Sequence, residues 1–326
     1  MICVDLPVCR AIAFVVIILA CAVPSEALPD TVVISNERSG DLHFMDRSGA
    51  TTDVFALCGR PRGMAQGASG QTLFIACSDD HKVIEFDVGR REIVREFPDV
   101  PGAMSLALHA ASGRLIVSNE GHASAMVLDT LTGGVLATLA TGLEPDGVAL
   151  SDDGARIFIA SENANLVHVY DGESYQPINR LVTGLRPRRL ALRGDELWVS
   201  SEMGSRVEIF DLNTYQKEGE VVFAPRGFRV EQLTPVDILF DAHQETAFVA
   251  LGSANHVVFV DAESREIRKY ILVGRRPWGL ALTPDGEHLF VLNGLSDDVT
   301  IIDVARERPI RTSRTGLVPH AVEILE

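Results

Sequence analysis

The chain has little sulfur and few aromatic rings: five cysteines, two tryptophans and 6% aromatic residues in 326. Cys3, Cys9 and Cys21 lie in the first 21 residues, leaving Cys58 and Cys77 for the rest. Two thiols are no disulfide framework. They could pair in an oxidising compartment, but the simpler expectation is two half-buried small apolar side chains. No C-x-x-C-H occurs, which excludes covalent haem. The nine histidines stand singly, without H-x-H or H-x-x-x-H, so copper or zinc clusters have no signal. A G-x-S-x-G elbow and a phosphate-cradling glycine loop are both missing, leaving acyl transfer and nucleotide chemistry unsupported. Cationic excess is missing too. A net charge of −16 repels phosphate backbones and argues against nucleic acid as a partner.

No apolar run reaches the ~20 residues of a membrane span. The longest, 11–23, follows Arg10 and precedes Pro24 and the small residues Ser25 and Ala27. That order predicts a secretory signal peptide over 1–27 and one mature domain over 28–326, with no transmembrane span. Ile18-Leu19-Ala20-Cys21 partly resembles a lipid-attachment site, but Leu19 fits it poorly, so the lipoprotein form is the second choice.

What the chain does have is repetition. Seven ungapped sixteen-residue copies, at 31–46, 72–87, 114–129, 156–171, 196–211, 246–261 and 288–303, each end in Asp. Those aspartates lie 41, 42, 42, 40, 50 and 42 residues apart. Each copy holds two short apolar, β-rich runs bounded by Ser, Asn, Gly and Asp, which reads as an antiparallel strand pair. Both faces of the pair are apolar, as in a sheet packed between two others. Between copies come a further extended piece and a strand opened by Pro61, Pro101, Pro145, Pro187, Pro235, Pro277 or Pro319. Four strands per unit and seven units, at a period of ~40–45 residues, predict an all-β, seven-bladed β-propeller. The chain starts on a second strand and finishes on a lone first strand. The C-terminal strand therefore joins the N-terminal blade and closes the ring, removing both exposed sheet edges.

The sixteen-residue copies and Pro-led strands resemble the YVTN repeat family of β-propellers. The variants within them (NE in blade one, ACSDD in two, SSE in five, FVALG-x-AN in six) are similar to the PQQ-dependent catabolism-associated β-propeller family of Gram-negative bacteria. That resemblance implies a periplasmic protein accompanying quinoprotein alcohol oxidation, without naming its molecular role. It implies as partners a quinoprotein dehydrogenase, its cytochrome or a transport component.

Alternating strand direction puts the loop inside each copy and the loop before each Pro on one face, here the top. The repeated Asp and Gly turns share the bottom, where seven equivalent carboxylates read as turn-formers. Positions free to acquire function are those that diverge. The residues after each Pro (Arg62, Gly102, Asp146, Arg188, Val236, Trp278 and His320) should ring the channel mouth. Guanidinium groups suit carboxylates and an indole offers a stacking face, so an anionic or planar ligand or a partner's acidic loop is expected there. The competing expectation is a solvated rim with internal ion pairs. Glu37, Glu120, Glu162 and Glu202 recur at position seven of their copies, and converging carboxylates could hold a divalent cation. Pairing with the arginines of R-P-R is the simpler expectation. The long interval before Asp261 places its surplus around 224–233, where Arg226, Phe228 and Arg229 could contact a partner.

The function expected from these features is non-catalytic binding of a partner protein or small ligand on the top face. The alternatives are a metal-dependent lactonase-like hydrolase using Glu37, Glu120, Glu162 or Asp146, and a cofactor carrier or assembly factor with His320 as ligand. No cofactor is demanded by the sequence. With only Trp198 and Trp278, the chain lacks the tryptophan-rich repeats of the quinoprotein dehydrogenases themselves.

Overall fold

The computed structural model describes residues 31–325; the expected signal peptide and lipid-attachment site lie outside them. Seven four-stranded antiparallel sheets form the seven blades of a propeller. In blade one the C-terminal strand Pro319–Leu325 is innermost and pairs with Thr31–Asn36, joining the two ends of the chain as the repeat pattern predicts. Among the described residues no helix is long and apolar enough to cross a membrane.

The core is distributed rather than central. Each of the seven blade-to-blade interfaces holds its own apolar cluster. Trp198 of blade five packs edge-on against Phe240 of blade six, with ring centroids 5.2 Å apart, and Phe44 of blade one stacks on Phe86 of blade two at 6.1 Å. Such burial on both faces explains the near-continuous apolar runs in the second and third strands.

The repeated aspartates do local work. Asp171 accepts the amides of Glu173 and Ser174, and Asp211 those of Asn213 and Thr214. Asp129 does the same for Leu131 and Thr132. Each carboxylate takes the place of a backbone acceptor in the turn between the third and fourth strands.

Two expectations need correction. Cys58 and Cys77 are not separate apolar side chains but a disulfide, with Cα atoms 5.9 Å apart. The bond ties the segment entering blade two to the top of that blade's second strand, just before Arg60-Pro61-Arg62. Gly102 is not the third member of the channel ring. In blade three the strand Ala103–His109 starts two residues after Pro101, so Ala103 takes the place of Pro61 and Leu106 pairs with Val117 as Met64 pairs with Ile75. That register puts Met104 level with Arg62, while Gly102, at φ +59°, packs against the Glu120 carbonyl where a Cβ would come within 2.3 Å.

Candidate functional site at the channel mouth

The innermost strands enter the channel from the top, and their first residues close around a cavity of about 230 Å³. Arg62, Met104, Arg188, Val236, Trp278 and His320 all line it. Five of these belong to the ring expected from the sequence, and Met104 replaces Gly102. Asp146, the remaining member, is buried beneath the lining and ion-paired with Arg188 at 3.0 Å.

The four recurring glutamates reach the same mouth, and each meets an arginine. Glu37 pairs with Arg60 at 3.0 Å and with Arg62 at 3.4 Å, and Arg62 extends to Glu120 at 2.6 Å. On the other side Arg188 pairs with Glu162 at 3.1 Å and Glu202 at 3.2 Å, and Arg186 touches both glutamates. Arg276 of blade seven reaches Glu202 of blade five at 2.6 Å. Glycine makes that span feasible. Gly252 of blade six stands where four of the other copies carry Glu, and a Cβ there would come within 3.2 Å of Arg276 Nε. Gly294, its equivalent in blade seven, leaves room for the Trp278 ring, which a Cβ would meet at 2.4 Å. Divergence at position seven is thus coupled to the bulky residues beside it.

The balance of burial against the arginines sets the protonation pattern. It opposes ionisation of Asp146, yet Arg188 and Arg189 outweigh it and hold that carboxyl well below the usual range. Glu162 goes the other way: burial, reinforced by Asp146, overcomes its arginines and pushes it up to about 7. Burial and the neighbouring Arg62 and Arg189 keep His320 neutral. Its Nδ1 is buried and has no hydrogen-bond partner.

A second chamber of about 190 Å³ lies further down the channel, and His320 and Arg189 line both. Arg189 donates to the Ser105 hydroxyl and lies 3.3 Å from Asp146, forming the partition. Burial raises Asp237 to about 6 and Glu323 to about 7 in this lower chamber. Arg189, Asp237 and Ser105 were not among the residues singled out from the sequence. Their signal was available: they sit one residue beyond the ring positions, where Gly63, Gly147 and Gly279 occupy other blades.

The long loop of blade five lies apart from the cavity. Phe223 and Leu233 anchor its ends in the core, and Ser205 Oγ donates to the Val230 carbonyl at 2.7 Å. Between them Arg226 and Arg229 are exposed, and Phe228 rests edge-on against His256 at 5.4 Å. The loop is therefore ordered on the top face but supplies nothing to the mouth lining.

The mouth's chemistry follows from this set. Carboxylate oxygens that could have gathered around a cation are engaged by guanidinium groups, and among the described residues no cluster of three or more His, Cys, Asp or Glu is arranged to hold a metal. The cavity instead presents paired arginines, one indole face and the apolar Met104 and Val236. It is smaller than the ~300–1,000 Å³ typical of drug-sized ligands.

No protein-family model and no curated protein matches the chain. Solved structures do. The periplasmic gluconolactonase of Pseudomonas aeruginosa is 18% identical with a TM-score of 0.76, over 91% of this chain and 99% of that one. Kuenenia stuttgartiensis hydrazine synthase is 18% identical at 0.72, over 80% and 88%. The dihydro-heme d1 dehydrogenase NirN is 12% identical at 0.68, over 90% and 74%. At such identities the likeness establishes the propeller fold and nothing of the chemistry.

Proposed function

We propose that this chain is a non-catalytic periplasmic propeller whose top-face mouth binds a carboxylate or similar anionic group. The observation that carries the reading is the convergence of Arg62, Arg186, Arg188 and Arg276 on one small cavity beside Trp278. Planar guanidinium groups in fixed orientation recognise carboxylates through paired hydrogen bonds. The surrounding glutamates preorganise them, which limits the entropy lost on binding. An incoming anion would displace Glu120, the most exposed of the four at 41% of its side chain, from Arg62. The periplasmic setting, and with it PQQ-linked alcohol oxidation, rests on the N-terminal pattern and the repeat variants.

One observation favours a second reading. A carboxyl at about 7 facing arginines, as Glu162 does, is suited to general acid–base work on a lactone, with the guanidinium groups polarising its carbonyl. The fold shared with a gluconolactonase fits that role. No step of it needs the metal of the earlier expectation. Two assays separate the readings. Calorimetric titration with benzoate and citrate should show one saturable site, and δ-gluconolactone should hydrolyse no faster with the protein than with its Glu162→Gln variant. Lactone turnover that disappears in Glu162→Gln would replace the binding reading with the enzymatic one.

A further inference from the structure

The top face is unusually apolar for a surface built of loops. Leu185 and Met203 of blade five are 57% and 63% exposed, Val230 of the long loop 63% and Leu272 of blade six 65%. Phe228 lies among the same loops, against His256. The bottom loops, among the described residues, expose Leu131, and the strand starts beside them expose Val135, Leu136, Ile93 and Ile178 at 53%, 47%, 38% and 43%. Scattered apolar residues need no explanation, but a concentration on one end of the molecule does. These loops also carry exposed Arg226, Arg229 and Arg275, beside a mouth that already gathers guanidinium groups, in a chain whose net charge is −16. Phe, Met and Arg are the residue types enriched in protein interfaces.

Resting on the reading that the mouth takes an anion, we infer that this anion belongs to a protein. The partner presents an acidic side chain or a C-terminal carboxylate on a segment flanked by apolar residues. The carboxylate enters the mouth, and the flanks lie on the arc from Leu185 through Phe228 to Leu272. Two features argue for a segment of this chemistry. The cavity is sized for one side chain or chain end rather than a free cofactor. Positive charge and exposed apolar surface also occur together on blades five to seven, complementary to an acidic, apolar segment and repellent to a basic one.

The test is selection of random twelve-residue peptides with free C-termini on the mature protein, paired with benzoate titration. The expected winners carry Asp, Glu or the terminal carboxylate within an apolar stretch. Their affinity falls at least ten-fold in the double variant Phe228→Ser, Leu272→Ser and in Arg186→Gln. Benzoate binding falls in Arg186→Gln but is unchanged in the apolar double variant. Winners without an acidic group, no winners, or peptides indifferent to the apolar double variant would overturn the inference. If benzoate still binds in that case, the mouth reading stands alone; if it does not, both fall.

Discussion

The two faces of this propeller are made from the same strands, yet they use carboxylates in opposite ways. On the bottom, Asp129, Asp171 and Asp211 each accept amides two or three residues ahead, and the arrangement repeats because each blade must turn there. On the top, Glu37 and Glu162 each reach both R-P-R arginines of the next blade, whereas Glu202 pairs with those of its own blade and with Arg276 two blades on. A local bond serves one turn and can be copied seven times. A bond between blades specifies one place on the ring. Function is therefore expected where the repeat has been broken, and each prediction below tests one side of that contrast.

The largest effect should come from the top-face staple. Replacing both Cys58 and Cys77 with Ser opens a loop of 19 residues; chain entropy gives that closure about 3 kcal/mol. Chemical denaturation should show a loss of that order, accompanied by weaker anion binding, because Arg60 and Arg62 follow the bridge directly. Next, Arg186→Gln and Arg62→Gln should each weaken benzoate binding ten-fold or more, about 1.4 kcal/mol, with thermal melting showing that the fold persists.

The pH dependence should be smaller and has a definite sign. Glu162 titrates near 7. Below that pH it is neutral, and Arg186 and Arg188 lose one counter-charge; above it the negative charge competes with the ligand. Anion affinity should therefore rise several-fold from pH 8 to pH 6. Glu162→Gln should bind at pH 8 as the parent does at pH 6, with a nearly flat profile. If the profile is unchanged in Glu162→Gln, another group governs the mouth. The smallest effect should be Asp171→Ala on the bottom face. A slight fall in melting temperature and no change in anion affinity would sharpen the contrast between faces, and altered affinity would break it.

The architecture was legible because it is repeated: seven copies of one strand pair, a Pro before each inner strand and a lone final strand such as Pro319–Leu325 can fold in few ways. The mouth was legible in outline because Arg62, Arg188, Trp278 and His320 break a regular background. Its errors arose where spacing alone had to stand for register. In blade three the inner strand starts two residues after Pro101, which puts Met104 into the ring in place of Gly102. The Cys58–Cys77 bond was hidden because one thiol lies in a connecting segment and the other in a strand, and only their juxtaposition shows that they meet. Pairing across blades, such as Arg276 with Glu202, joins residues 74 positions apart and leaves only an indirect trace in the glycine at 252.

The central claim, that the mouth binds an anion, is tested most directly by calorimetric titration of benzoate into the mature protein at pH 6 and pH 8. One saturable site, tighter at pH 6 and lost in Arg62→Gln and Arg186→Gln, is the predicted result. No binding at either pH, or binding that ignores both arginines, would contradict it.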